Sequence, residues 1–104
     1  MTPLEIRLND LAARGQTTTY GTLARDLGLT GPGTIAQLTT ALEALMEAEA
    51  AAHHPFRAAL VNARFSTLPA EGFFAKAAAL GRYHGIDQTA YISTERQALL
   101  IFCP

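Results

Sequence analysis

The chain holds a single cysteine, Cys103, and no tryptophan. A lone thiol excludes an intramolecular disulfide framework. Charge is scarce as well: 16% of the residues are charged, where about 25% is usual for a globular protein. Lysine occurs once, as Lys76, beside seven arginines, and the formal net charge is −1. Such a balance lacks the global basic footprint of a strong nucleic-acid binder, so any such contact must rest on a local patch. No stretch approaches the roughly 18 apolar residues that a bilayer-spanning helix needs. The opening MTPLEIRLNDL carries charge within its first ten residues. It therefore lacks the basic start and apolar middle of a signal peptide. These absences predict a soluble, cytoplasmic chain without membrane contact.

Catalytic constellations are missing too. There are two serines, Ser66 and Ser93, and neither stands in a Gly-x-Ser-x-Gly setting. No glycine loop of the phosphate-cradling kind occurs, and the carboxylates are spread singly. His53, His54, His84 and Cys103 do not have the four-ligand spacing of a structural zinc site. The paired histidines suit the end of a helix, where imidazoles meet the negative end of the dipole. The expectation is a non-enzymatic protein with no cofactor and no metal.

What the sequence has is apolar mass. Hydrophobic residues make up 49% of 104 residues, and twenty of them are alanine. That excludes a disordered chain and favours one domain of closely packed helices, since alanine is the best helix former. Thr2 as cap, Pro3 in the first turn and Glu5 behind them predict a first helix, ended by Gly15. Leu4, Leu8, Leu11 and Ala12 form its apolar stripe. Residues 16–20 are polar and β-branched and read as extended. A second helix follows over 20–27, with Thr19 as cap, Gly28 as terminator and Leu23, Ala24 and Leu27 inward. Gly31-Pro32-Gly33 makes a turn. The third helix spans 34–51 with an inward stripe of Ile35, Leu38, Leu42, Leu45 and Met46. Glu43, Glu47 and Glu49 read as its solvated acidic half. Residues 58–62 read as a strand, 64–71 as a loop, and 72–80 as a fourth helix carrying Phe73, Phe74, Ala77 and Leu80. The last segment reads as a helix capped by Asp87 and carrying Tyr91, Ala98, Leu99 and Phe102; a buried strand over 98–102 is the alternative. The fold class expected is mainly α with a small β element: a helix-turn-helix or winged-helix-like single domain.

The residues TTTYGTLARDLG, from Thr17 to Gly28, sharpen that reading. They resemble the stretch that opens the DNA-binding region of the O6-alkylguanine-DNA alkyltransferases and alkyltransferase-like proteins. The resemblance covers about a dozen residues and is topological beyond them. It implies that Tyr20 presses on a nucleotide's phosphate. The family's recognition helix opens on an arginine, whereas this chain has Thr34-Ile35-Ala36-Gln37 there. The family's Pro-Cys-His-Arg acceptor motif would fall near His54-Pro55-Phe56-Arg57, where Phe56 is the nearest counterpart of the acceptor. Alkyl transfer needs an activated thiolate, so the resemblance implies a fold and a DNA contact rather than the reaction.

The sequence thus predicts double-stranded DNA as partner, contacted by Tyr20, Thr34, Gln37, Arg57 and Arg64. Gln and Thr on the third helix can reach base edges, and the two arginines bracket the expected strand. Arg25, Lys76 and Arg82 are further basic residues that could support phosphate contacts, and Phe65 is a further candidate contact. The alternative is a protein-interaction module or homodimer that uses the same fold without nucleic acid, with the apolar residues Leu99 to Phe102 as its surface.

Overall fold

The structure, a computed structural model, describes residues 2–102. Five helices surround one short buried segment. They are α1 (Pro3–Arg14), α2 (Tyr20–Asp26), α3 (Thr34–Ala51), α4 (Glu71–Ala79) and α5 (Gln88–Phe102). Strand β1 (Thr18–Thr19) precedes α2, and strand β2 (Val61–Asn62) follows a 3-10 turn over Arg57–Leu60. The strands pair in parallel, Thr18 opposite Val61 and Thr19 opposite Asn62. The fold is therefore mainly helical with a two-stranded parallel sheet.

Local chemistry explains the helix ends. The Thr2 hydroxyl accepts from the Glu5 amide at 3.2 Å, and Pro3 occupies the first turn. At the other end Gly15 takes a φ of 64°, which lets its amide donate to Ala12 and the Gln16 amide to Leu11. That is a Schellman closure, which needs a residue tolerant of the left-handed region. Thr19 caps α2 through Thr22 at 3.2 Å. Asp87 caps α5 by accepting from the Ala90 amide at 3.1 Å. The cap and the helical line Ile92, Glu95, Leu99 settle the last segment as a helix and set aside the strand over 98–102.

The core gathers Leu8, Leu11, Leu23, Leu38, Leu42, Met46, Phe56, Phe73, Phe74, Ile92 and Leu99 around the 3-10 turn, whose Ala58, Ala59 and Leu60 are all buried. α1, α3 and α5 pack against this turn from three sides. The expected strand over 58–62 is thereby corrected: only Val61 and Asn62 are extended. The Ala59 amide bonds back to the Phe56 carbonyl at 3.1 Å, which coils the chain before it can pair. Strand β1 offers only two residues as partners in any case. A second correction concerns Ile35, which is 49% exposed rather than core. It lies on the inward stripe of α3, but the first turn of that helix projects beyond the core into an open cleft.

A third correction is Glu49. It is not solvated: at 3% exposure it is among the most buried residues of α3. Its carboxylate takes Arg57 Nε at 2.7 Å and the Arg57 backbone amide at 3.3 Å. Glu95 mirrors it, accepting from the Phe56 amide at 3.4 Å, Arg82 Nη2 at 2.8 Å and the Tyr91 hydroxyl at 3.0 Å. Two buried carboxylates therefore hold the start of the 3-10 turn. Two arginines hold its flanks, one before the turn and one at its end. Arg82 lies 4.1 Å over the Phe56 ring and donates to the His54 carbonyl; Arg96 donates to the Ala59 carbonyl and to Asn62 Oδ1. Burial shifts the titration of three groups here. It raises the Glu49 carboxyl despite Arg57, raises the Tyr91 hydroxyl with help from Glu95, and lowers Arg96.

Candidate functional site

Eight cations are available, and their partners decide which can meet an anionic ligand. Arg7 pairs with Asp10 and Asp26, and Arg14 with Asp10. Arg57 pairs with Glu49, Lys76 with Glu47, and Arg82 with Glu95. Arg96 is partly buried and turned onto Ala59 and Asn62. Among the described residues, Arg25 and Arg64 are the exposed cations without a carboxylate partner.

These two arginines line one cleft of about 600 Å³. Its walls come from one face of α2 (Tyr20, Thr22, Arg25), the first turn of α3 (Ile35), and the segment after β2 (Ala63, Arg64, Ala70). None of its lining residues is acidic. The parallel strand pair fixes the two distant parts of the chain against each other, because Thr19 and Asn62 adjoin Tyr20 and Ala63 respectively. Arg25 Nη2 lies 3.3 Å from the Thr22 hydroxyl. Tyr20 is half-buried on the cleft wall. Burial raises its hydroxyl above the ordinary range, the Ala70 backbone opposes that, and the Glu43 carboxylate adds to it. Tyr20 is thus a neutral phenol at physiological pH, able to donate a hydrogen bond to an anionic oxygen. Two guanidiniums, a phenol and threonine hydroxyls on an acid-free wall form a donor set suited to phosphate.

Of the residues singled out from sequence, Tyr20 and Arg64 meet in this cleft. Thr34 adjoins Ile35, and its hydroxyl donates to the Gly31 carbonyl at 2.7 Å, closing the turn before α3. Gln37 is exposed one turn further on. Arg57 is not part of the cleft. Its guanidinium bonds Glu49 and, through Nη1, Asn9 Oδ1 at 2.9 Å, and its side chain is largely buried. The residue standing where the resemblance would put an acceptor thiol, Phe56, is fully buried beneath Arg82. Cys103 lies outside the described residues.

One functional candidate was not visible from sequence, and another was visible only as one of several. Arg25 stands beside Lys76 and Arg82 as a possible phosphate contact, and the ion pairs of those two with Glu47 and Glu95 single it out. Ile35 reads as core by its spacing. The available signal was its place in the first turn after Gly-Pro-Gly, where a helix end often overhangs the core. Phe65, already a candidate, is 92% exposed, and Arg64 sits 4.7 Å from its ring centroid. Among the described residues no three His, Cys, Asp or Glu side chains converge as a metal site would require, and no helix is long and apolar enough to cross a membrane. The chain matches no protein-family model, no curated protein and no solved structure.

Proposed function

We propose that the protein is a non-enzymatic, winged-helix-like DNA-binding domain. In this reading α2 and α3 are the helix-turn-helix unit and the segment over 63–70 plays the part of the wing. The observation that carries it is the convergence of Arg25 and Arg64, exposed and without carboxylate partners, on the cleft that also holds Tyr20. The Thr17–Gly28 resemblance points to the same stretch of chain. Thr34 and Gln37 lie at the start of α3, the end by which reading helices commonly enter the major groove. Arg57 drops out of the contact set, since its charge is already engaged. Transfer chemistry has no place in the reading, because Phe56 is buried and no described residue offers a thiol.

The test is fluorescence anisotropy of a labelled duplex at about 50 and 200 mM salt. Two phosphate contacts give a slope near −1.8 in log affinity against log salt, so this fourfold change weakens binding about twelvefold. The double variant R25A/R64A binds more weakly, and its affinity no longer responds to salt. No binding at the lower salt, or an unchanged slope in the double variant, refutes the reading.

A second reading is favoured by one observation. Of the surface expected over Leu99 to Phe102, Leu99 is buried in the core, whereas Leu100, Ile101 and Phe102 are exposed, Ile101 at 88%. Contiguous exposed apolar side chains mark association surfaces. Sedimentation velocity over a hundredfold range of concentration shows whether the chain self-associates, and L100S/I101S abolishes any dimer built on this surface.

A further inference from the structure

The segment after β2 is closed on itself. The Ala63 amide donates to the Leu68 carbonyl at 2.9 Å, the Ser66 amide to the Ala63 carbonyl at 3.1 Å, and the Leu68 amide to the Ser66 hydroxyl at 3.0 Å. At its tip stands Phe65, with a φ of 59°. The left-handed region is costly for a bulky residue and suits glycine or asparagine. The position thus carries two unfavourable features together, a strained backbone and an almost fully exposed aromatic ring. Neither contributes to the core, and strain retained without a packing reason points to function. The Arg64 guanidinium lies over one side of the ring, 4.7 Å from its centroid. The same arginine lines the cleft, so the ring stands at the edge of the proposed phosphate site.

We infer that Phe65 is a base-stacking side chain, whose open face receives an unpaired nucleobase while Arg64 and Arg25 hold the adjoining phosphates. This rests on the DNA-binding reading and narrows it to a kind of site. A flat ring held on one side by a guanidinium offers its other side to a π-face. A paired base has both faces covered by its neighbours, and opening a base step costs a few kcal/mol. With a net charge of −1 and two available cations, the protein gains little phosphate attraction to offset that opening. A base that is already unpaired carries no such cost. The target is therefore a duplex with a bulged or looped-out nucleotide.

The experiment compares a fully paired labelled duplex with the same duplex carrying one extra unpaired thymine. Wild-type protein binds the bulged duplex more tightly, by about five- to a hundredfold, as expected for one aromatic–base stack. The F65A variant loses that preference, read as the ratio of its affinities for the two duplexes. The chain has no native tryptophan, so F65W places a sole reporter at the contact. Its emission is quenched by the bulged duplex with the same midpoint as the anisotropy. If wild type binds both duplexes equally, or F65A retains the preference, or F65W is not quenched, the stacking assignment is wrong while the DNA-binding reading stands. If neither duplex binds at low salt, both fall.

Discussion

Replacing Arg57 by methionine keeps the aliphatic volume of the side chain and removes its charge. The consequence falls on Glu49, at 3% exposure the most enclosed carboxylate described. In the native protein Arg57 Nε sits 2.7 Å from it. Without that partner the carboxylate must stay ionised in an apolar setting, already under the repulsion of Glu95, or take up a proton. Protonation caps the cost. From an ordinary glutamate pKa of about 4.3 to pH 7 it amounts to roughly 3.7 kcal/mol at 1.36 kcal/mol per unit. The cap is lower by whatever cost burial already imposes in the wild type. The bond from Arg57 Nη1 to Asn9 is lost too, worth about 1 kcal/mol. The expected destabilisation is therefore about 3–4 kcal/mol at pH 7, in the range measured for breaking buried pairs. That is a large share of the 5–15 kcal/mol that a domain usually has, and it lowers the melting temperature by about 15 °C. At pH 5 the same cap shrinks to about 1 kcal/mol, so the variant recovers most of its loss. Urea titrations followed by circular dichroism at 222 nm, at both pH values, measure this directly. A cost that is the same at pH 5 and pH 7 would refute the argument, as would one below about 1 kcal/mol at pH 7.

Two further outcomes follow from the same core, beside the binding tests already given. Burial raises the Glu49 carboxyl in the folded state, so its protonated form is favoured by folding. That contribution is full below the ordinary glutamate range and is lost as pH rises through the raised value. The E49Q variant lacks this titration and therefore gains stability relative to wild type between about pH 4 and pH 7, by about 1.4 kcal/mol per unit of the shift; a variant that instead loses ground over this interval would mean that Arg57's attraction outweighs burial. Thr18 is a buried hydroxyl without a hydrogen-bond partner, so Thr18→Val, which keeps the β-branched shape, is neutral or stabilising by up to about 1 kcal/mol in a thermal melt. A loss above 1 kcal/mol there would show that the hydroxyl has a partner.

Much of the architecture was legible because its causes are local. Thr2, Pro3 and Gly15 delimit α1 within one turn of each end, Thr19 caps α2, and Asp87 opens α5. The stripe Leu38, Leu42, Leu45, Met46 places α3 by its period alone. What was not legible depends on residues far apart. The 3-10 turn at 57–60 exists because Glu49 and Glu95 capture the amides that begin it. Glu49 itself lies four residues past Leu45 and seven past Leu42, on the inward line, and Glu95 stands likewise between Ile92 and Leu99. That spacing was a usable signal, but it was outweighed by the expectation that glutamate faces water. The candidate site suffered most from pairing. Arg57 and Arg64 look alike in sequence, yet one is bound to a buried carboxylate and the other is open to a ligand. Which arginine remains available depends on where every acid in the fold comes to rest.

The cleft has no existence in either of the segments that wall it. One wall lies on α2 and the first turn of α3, the other after the 3-10 turn, and two parallel residue pairs join them. A ligand that spans both walls must find that junction closed, and by occupying it keeps it closed. Affinity and integrity of the strand pair are then one equilibrium seen from two sides: at a hundred times its dissociation constant such a ligand adds about 2.7 kcal/mol to the folded state. Loosening at Thr18–Val61 reaches the arginines without touching them.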